Sequence, residues 1–265
     1  MNVFAFDIET VPDVATGRRL LEVDDLPDAE VAELMFQQQR RRTGGTSDFL
    51  PLAQHRIVAI AACLHSGEQF RVWSLGEPEA DEAELIGRFF DGIERLRPTI
   101  VSWNGAGFDL PVLHYRALLH GISAPCYWDT GELHASHRYN NYLGRFHWRH
   151  LDLMDVLAGY QPRGGAKLED VALMLGLPGK LGMSGGAVWP AWQAGERERI
   201  RNYCEIDVLN TFLIYLRFEL MRGRLTAEAY GQSSRQILDM LTTAEPAHLR
   251  AFAERWRAAG GCGLD

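Results

Sequence analysis

An apolar segment starts almost at the first residue and carries two acids: Asn2-Val3-Phe4-Ala5-Phe6-Asp7-Ile8-Glu9. In a β-strand, residues i and i+2 face the same side. Asp7 and Glu9 therefore project together, and Ile8 between them faces the other way. Two carboxylates held side by side repel, and one takes up a proton unless a cation intervenes. Magnesium or manganese suits all-oxygen ligands of this kind. A chain that builds such a strand is expected to place it in a sheet and to bring further acids to it.

Three later residues supply candidates. Asp109 follows a second apolar run, Thr99-Ile100-Val101-Ser102-Trp103, through the turn Asn104-Gly105-Ala106-Gly107-Phe108. Tyr203 and Asp207 are four apart in a helical stretch, hence on one helix face. Four acids so gathered can hold two metal ions about 3.5–4 Å apart, the spacing used for in-line phosphoryl transfer. Each piece alone has a plain reading: solvated acids, a turn with Asp109 as a helix cap, a tyrosine on an amphipathic helix. Their order and their placement on strand, turn and helix are what argue for chemistry.

Phe6-Asp7-Ile8-Glu9-Thr10, Asn104-Gly105-Ala106-Gly107-Phe108-Asp109 and the Tyr203/Asp207 pair together resemble the three exonuclease motifs of the DEDD superfamily, in its tyrosine branch. The nearest likeness is to stand-alone 3′–5′ exonucleases related to the proofreading domain of family-B DNA polymerases. The resemblance covers about residues 1–220. It implies an α/β, RNase H-like mixed β-sheet with helices on both faces and the first motif on the central strand. Residues 221–265 would be a helical C-terminal extension of that domain. It implies catalysis by Asp7, Glu9, Asp109, Tyr203 and Asp207, with two Mg2+ or Mn2+ ions held by the four acids. Asp7 would bridge both ions, Glu9 and Asp207 would complete the nucleophile-side ion, and Asp109 would support the other through water. Asn104, Phe108, Thr10 and Lys180 are the expected substrate contacts.

The rest of the pattern fits a layered α/β chain. Strands are expected at residues 2–9, 56–64 and 69–75, the last two joined by a hairpin turn at His65-Ser66-Gly67-Glu68. Helices are expected at 28–42, 81–96 and 109–120, the last ended by Gly121. Residues 122–150 read as irregular and aromatic-rich, and Leu151 opens another helix. Further helices are expected at 167–175 and 195–220, with two more between 226 and 259 that break near Pro246.

Composition narrows the function classes. No apolar run of 18 residues exists, so no membrane helix is indicated. The first residues lack the basic-then-apolar pattern of a signal peptide, which points to the cytoplasm. Cys63, Cys126, Cys204 and Cys262 are widely spaced, arguing against a disulfide framework and a cysteine-rich zinc module. Cys204 reads as a packed helix residue. The pairs His134/His137 and His147/His150, near Cys126, match no common zinc module and read as part of a solvated basic insertion. Asp152 reads as a helix cap, Glu205 as a solvated acid, and Trp103 as a core residue. A net charge of −8 is unusual for a nucleic-acid binder and predicts weak, distributive binding. The partner expected is nucleic acid, DNA before RNA, with single-stranded 3′ ends preferred. Polymerase motifs are absent from the chain, so a free-standing trimming or repair nuclease is expected. The competing readings are an exoribonuclease with the same acids and a non-catalytic module that keeps the fold.

Overall fold

The alternation along the first strand decides the layers of the molecule. A computed structural model describes residues 2–67 and 69–260; Glu68 of the expected hairpin turn and Cys262 lie outside the described residues. The strands β1 (Val3–Pro12), β2 (His55–Ser66), β3 (Gln69–Ser74), β4 (Thr99–Ser102) and β5 (His150–Asp152) form one mixed sheet. Its order is β3-β2-β1-β4-β5, so β1 is central, antiparallel to β2 and parallel to β4. This is the expected α/β, RNase H-like arrangement.

Helices α1 (Val14–Leu21) and α2 (Asp28–Arg42) follow β1, α3 (Glu82–Leu96) precedes β4, and α4 (Asp109–His120) and the short α5 (Pro125–Trp128) follow it. After β5 come α6 (Leu153–Leu157), α7 (Leu168–Met174), α8 (Val188–Gln193), α9 (Arg197–Met221), α10 (Ala227–Thr242) and α11 (Ala247–Ala258). Phe4, Phe6 and Ile8 of β1 enter one core with Ile60 and Ala62 of β2 and with Phe89, Leu110 and Leu113 of α3 and α4. Val3 and Ala5 enter the opposite core with Ala61, Cys63, Val101, Cys204, Val208 and Phe212. Asp7 and Glu9 continue the Val3/Ala5 set, so the period-two pattern aims both acids at α9.

Helix α9 is buried nearly all round, which requires apolar neighbours on every side. The sheet covers one side, and α10 and α11 supply Ile237, Leu241, Phe252 and Trp256 to the same core. This corrects the reading of Glu205 as solvated. Its carboxylate is buried, accepting from Ser74 Oγ (2.7 Å) and lying 2.8 Å from His248 Nε2 of α11.

Two elements were not read from the sequence, α1 and α8, and one was misread. Leu151 and Asp152 belong to β5, and the helix begins only at Leu153. Pairing with β4 supplies the backbone partners that a three-residue strand cannot provide for itself. No helix among the described residues is long and apolar enough to cross a membrane.

Candidate active site

The site forms where β1 outruns its neighbour. Strand β4 pairs with β1 only as far as Ala5, so the end of β1 has a free edge on that side. Ile8 N instead donates to Asp109 Oδ1 at 3.2 Å. Asp109 is the first residue of α4, and its burial beside β1 follows from that bond. On the β2 side the register shifts between Glu9 and Thr10. Asp7 and Glu9 sit just before this bulge, a device that re-aims a strand. Ligand atoms of Asp7, Glu9 and Cys204 lie within 4.8 Å of one another. The Cys204 thiol packs under Asp7, donating to its carbonyl oxygen (3.3 Å) and lying 3.5 Å from Oδ2. Cys204 is fully buried, as a packed helix residue should be.

The loop between β4 and α4 is held by its glycines and by Asp152. A Cβ on Gly105 would lie 2.2 Å from Ser102 Oγ, and one on Gly107 would lie 2.5 Å from Asn104 Oδ1. Asn104 itself adopts φ 64°, a left-handed conformation that asparagine tolerates better than most residues. Asp152 accepts from Asn104 N (3.0 Å), Ala106 N (2.9 Å) and Asp155 N (3.3 Å). It is the cap of α6, as its sequence position suggested, and also a clamp on the loop, which no local pattern signals.

Helix α9 presents Tyr203, Cys204 and Asp207 toward β1. Lys180, from the glycine-rich loop before α8, donates from Nζ to Tyr203 Oη at 2.7 Å and lies 4.0 Å from Asp207 Oδ2. Asp7, Asp207, Lys180, Asn104 and Trp103 line a cleft of about 420 Å3. Burial and then the neighbouring Asp109 and Asp207 charges push Asp7 well above the ordinary carboxylate range. Burial and then Asp7 push Glu9 the same way. Burial raises Asp109 to about 7 and Asp207 to about 6, the latter despite Lys180. Burial and the Asp207 and Glu9 charges keep the Tyr203 phenol protonated far above neutral pH.

This donor set fits a hard divalent cation. Every carboxylate in it is held in an unfavourable charge state that a cation would relieve. Asp207 Oδ1 is buried and has no hydrogen-bond partner, a lone acceptor at the position a metal ligand would occupy.

The other expected residues lie around the cleft. Thr10 Oγ1 is 2.8 Å from His55 Nδ1, whose Nε2 is 3.2 Å from Leu50 O. A carbonyl only accepts, so Nε2 carries the ring proton and the Thr10 hydroxyl donates to Nδ1. Phe108 is half-buried between the rings of His55 (5.2 Å) and Phe49 (5.5 Å). Trp103 is only partly in the core and donates from Nε1 to Ala166 O at 3.2 Å.

The histidine segment is not the solvated insertion expected. His137 is fully buried, with Nδ1 3.0 Å from Asp129 Oδ2, and His150 Nε2 is 2.8 Å from Ser102 Oγ. Among the described residues, the histidines form no metal-binding group. Asp129 organises the segment by accepting from the backbone N–H groups of Gly131, Glu132, Leu133 and His134.

With this geometry in place, comparison with known proteins is informative. A family described as a predicted 3′–5′ exonuclease related to the exonuclease domain of PolB matches residues 47–256. That match begins after β1 and runs through α9 into α11. Among curated proteins, the DNA polymerase epsilon catalytic chain from Saccharomyces cerevisiae is 28% identical over 152 residues, covering 53% of this chain. A DNA polymerase from Archaeoglobus fulgidus is 29% identical over 136 residues, covering 51% of this chain. The aligned segments are 6% and 17% of those two polymerases.

Proposed function

We propose that this chain, which belongs to the family of predicted 3′–5′ exonucleases related to the exonuclease domain of PolB, hydrolyses phosphodiester bonds from the 3′ end of DNA and releases mononucleotides. The observation that carries this reading is the meeting of strand acids Asp7 and Glu9 with Asp109 from α4 and Asp207 from α9 around one cleft.

Asp7, Glu9, Asp109 and Asp207 would hold two Mg2+ or Mn2+ ions. When bound, such ions stabilise charge on the scissile phosphate and lower the pKa of water to a useful range. The chain's own groups set the geometry. The Lys180 ammonium can only donate, so the Tyr203 oxygen accepts from it and the phenolic proton is free to point elsewhere. Tyr203 then orients an attacking water by hydrogen bonding. It does not serve as the base, because its phenol stays protonated at neutral pH. Phe108 offers a ring face to a 3′-terminal base. Asn104 and Thr10 offer polar contacts on the two sides of the acids.

The test is digestion of end-labelled single-stranded DNA, duplex DNA and RNA of matched sequence with Mg2+ or Mn2+, with Asp7→Ala as control. Single-stranded DNA should shorten stepwise from its 3′ end and the control should be inert. Mononucleotide released from a 5′ label in the first turnovers would refute the polarity. Faster loss of RNA than DNA would move the assignment to an exoribonuclease.

A further inference from the structure

Beside the acidic cleft lies a second cavity of about 620 Å3, which shares Asn104, Met154 and Gly165 with it. None of the four clustered acids lines this cavity. Its volume is in the range of sites that enclose small organic ligands, about 300–1,000 Å3. Leu110, Tyr142 and Val156 make much of its wall apolar, and Arg145 and Arg163 bring positive charge to it. Arg145 is fixed by two bonds to Asp155 (2.8 and 2.7 Å) and lies over the Tyr160 ring.

One group in the wall is unexplained by the fold. His114 packs its ring against Tyr127 and Trp128, and its Nε2 is buried with no hydrogen-bond partner. Burial pushes its pKa down to about 4, so the ring is neutral near pH 7. A buried polar atom without a partner costs about 1–3 kcal/mol, whereas an apolar side chain of similar size would cost nothing of the kind.

The loop carrying Asn104 and Phe108 divides the surroundings into two flanks. Phe108 faces Phe49 and His55 on the β2 side. Asn104, Ala106 and Gly107 wall the cavity on the β5 side. A strand with its scissile phosphate at Asp7 and its terminal base toward Phe108 has its preceding nucleotides on the β5 side. We propose that this cavity seats a base of the substrate strand upstream of the scissile phosphate, with His114 as its polar contact. The assignment rests on the exonuclease reading of the acidic cleft.

The experiment compares two substrates. One is a twelve-residue oligothymidylate. The other is the p-nitrophenyl ester of thymidine 5′-monophosphate, in which a nitrophenyl group replaces the whole upstream strand. His114→Leu removes the unpartnered nitrogen, and Ala158→Trp narrows the cavity from another wall. For the oligonucleotide, KM should rise about three- to ten-fold in His114→Leu, the worth of one hydrogen bond. It should rise at least about ten-fold in Ala158→Trp, the scale of a lost base-stacking site. In both variants kcat for the oligonucleotide, and both constants for the ester, should stay unchanged. His114→Leu should melt no lower than wild type, whereas a merely structural histidine would lower the melting temperature and leave KM alone. Equal changes on both substrates, or none on either, would overturn the cavity assignment while wild-type hydrolysis keeps the exonuclease reading. A wild-type protein that hydrolyses neither substrate with Mn2+ would overturn both.

Discussion

Replacing Asp109 with asparagine is expected to stabilise the metal-free protein at pH 7.5. Asparagine keeps an acceptor oxygen for Ile8 N and removes only the ionisation. Burial raises the Asp109 carboxyl from 3.8 to about 7. The folded state therefore binds more protons than the unfolded state between about pH 4 and 7, and stability falls as pH rises through that window. Each unit is worth about 1.36 kcal/mol, so the ionised group costs at most roughly 4 kcal/mol above pH 7. Relaxation and the coupled neighbours reduce this, leaving an expected gain of about 2–3 kcal/mol for Asp109→Asn. For a chain of this size that is a rise in melting temperature of roughly 4–10 °C. The assay is thermal unfolding of both proteins in EDTA at pH 5.0 and 7.5. The gain should be small at pH 5.0, where wild-type Asp109 is largely protonated, and full at pH 7.5. Mn2+ should raise the wild-type melting temperature at pH 7.5 more than at pH 5.0. A variant that is less stable at pH 7.5, or equally stabilised at both pH values, would refute the account of Asp109 as an uncompensated buried charge.

Asp7→Ala and Asp207→Ala should each abolish hydrolysis without lowering the melting temperature in EDTA; a loss of folding would make these acids structural. Tyr203→Phe should lose roughly ten- to a thousand-fold in kcat, the scale of one positioned hydrogen bond to a reacting group. It should keep its Mn2+-dependent melting shift, and unchanged single-turnover rates would remove Tyr203 from the mechanism. Asp129→Ala should do the reverse of Asp109→Asn, lowering the melting temperature in EDTA, because four backbone N–H groups lose their acceptor. An Asp129→Ala protein that melts at the wild-type temperature would contradict the organising role of that carboxylate.

Much of the fold was legible because it depends on local periodicity. The alternation in Val3–Pro12 separates Phe4, Phe6 and Ile8 from Val3 and Ala5, and the two cores follow from it. Gly121 at φ 63° ends α4 where its sequence position predicted. What was not legible depends on distant partners. Helical spacing puts Glu205 away from Tyr203 and Asp207, but it does not reveal that α11 returns to bury that side with His248. Leu151 and Asp152 look helical until β4 is present to pair with them. His137 looks like a solvated basic residue until Asp129 closes its turn and leaves one oxygen facing the ring. Lys180 was read as a substrate contact, and its bond to Tyr203 depends on a loop conformation that no local rule fixes. The roles of the four acids in catalysis rest on the proposal, whereas their approach to one another is geometry.

The aspartates of this chain separate structural from functional acids by what compensates them. Asp129 is held below the ordinary carboxylate range because four backbone N–H bonds outweigh its burial. Asp13 is held down although burial opposes it, through Thr16 and the Arg116 guanidinium. Glu205 is likewise kept low, by His248 and Ser74 against its burial. Each has a partner built into the fold, so each is satisfied in the protein as it stands. Asp7, Glu9, Asp109 and Asp207 are all pushed up, and the nearby cation, Lys180, offsets only part of the burial. A fold stabilised by these four acids would pair them as it pairs Asp13 with Arg116. Leaving four carboxylates uncompensated at the open edge of the central strand costs stability, and such strain clusters where a ligand restores the balance. That contrast, more than proximity alone, favours reading the cleft as a cation-dependent site over a non-catalytic relic of the fold.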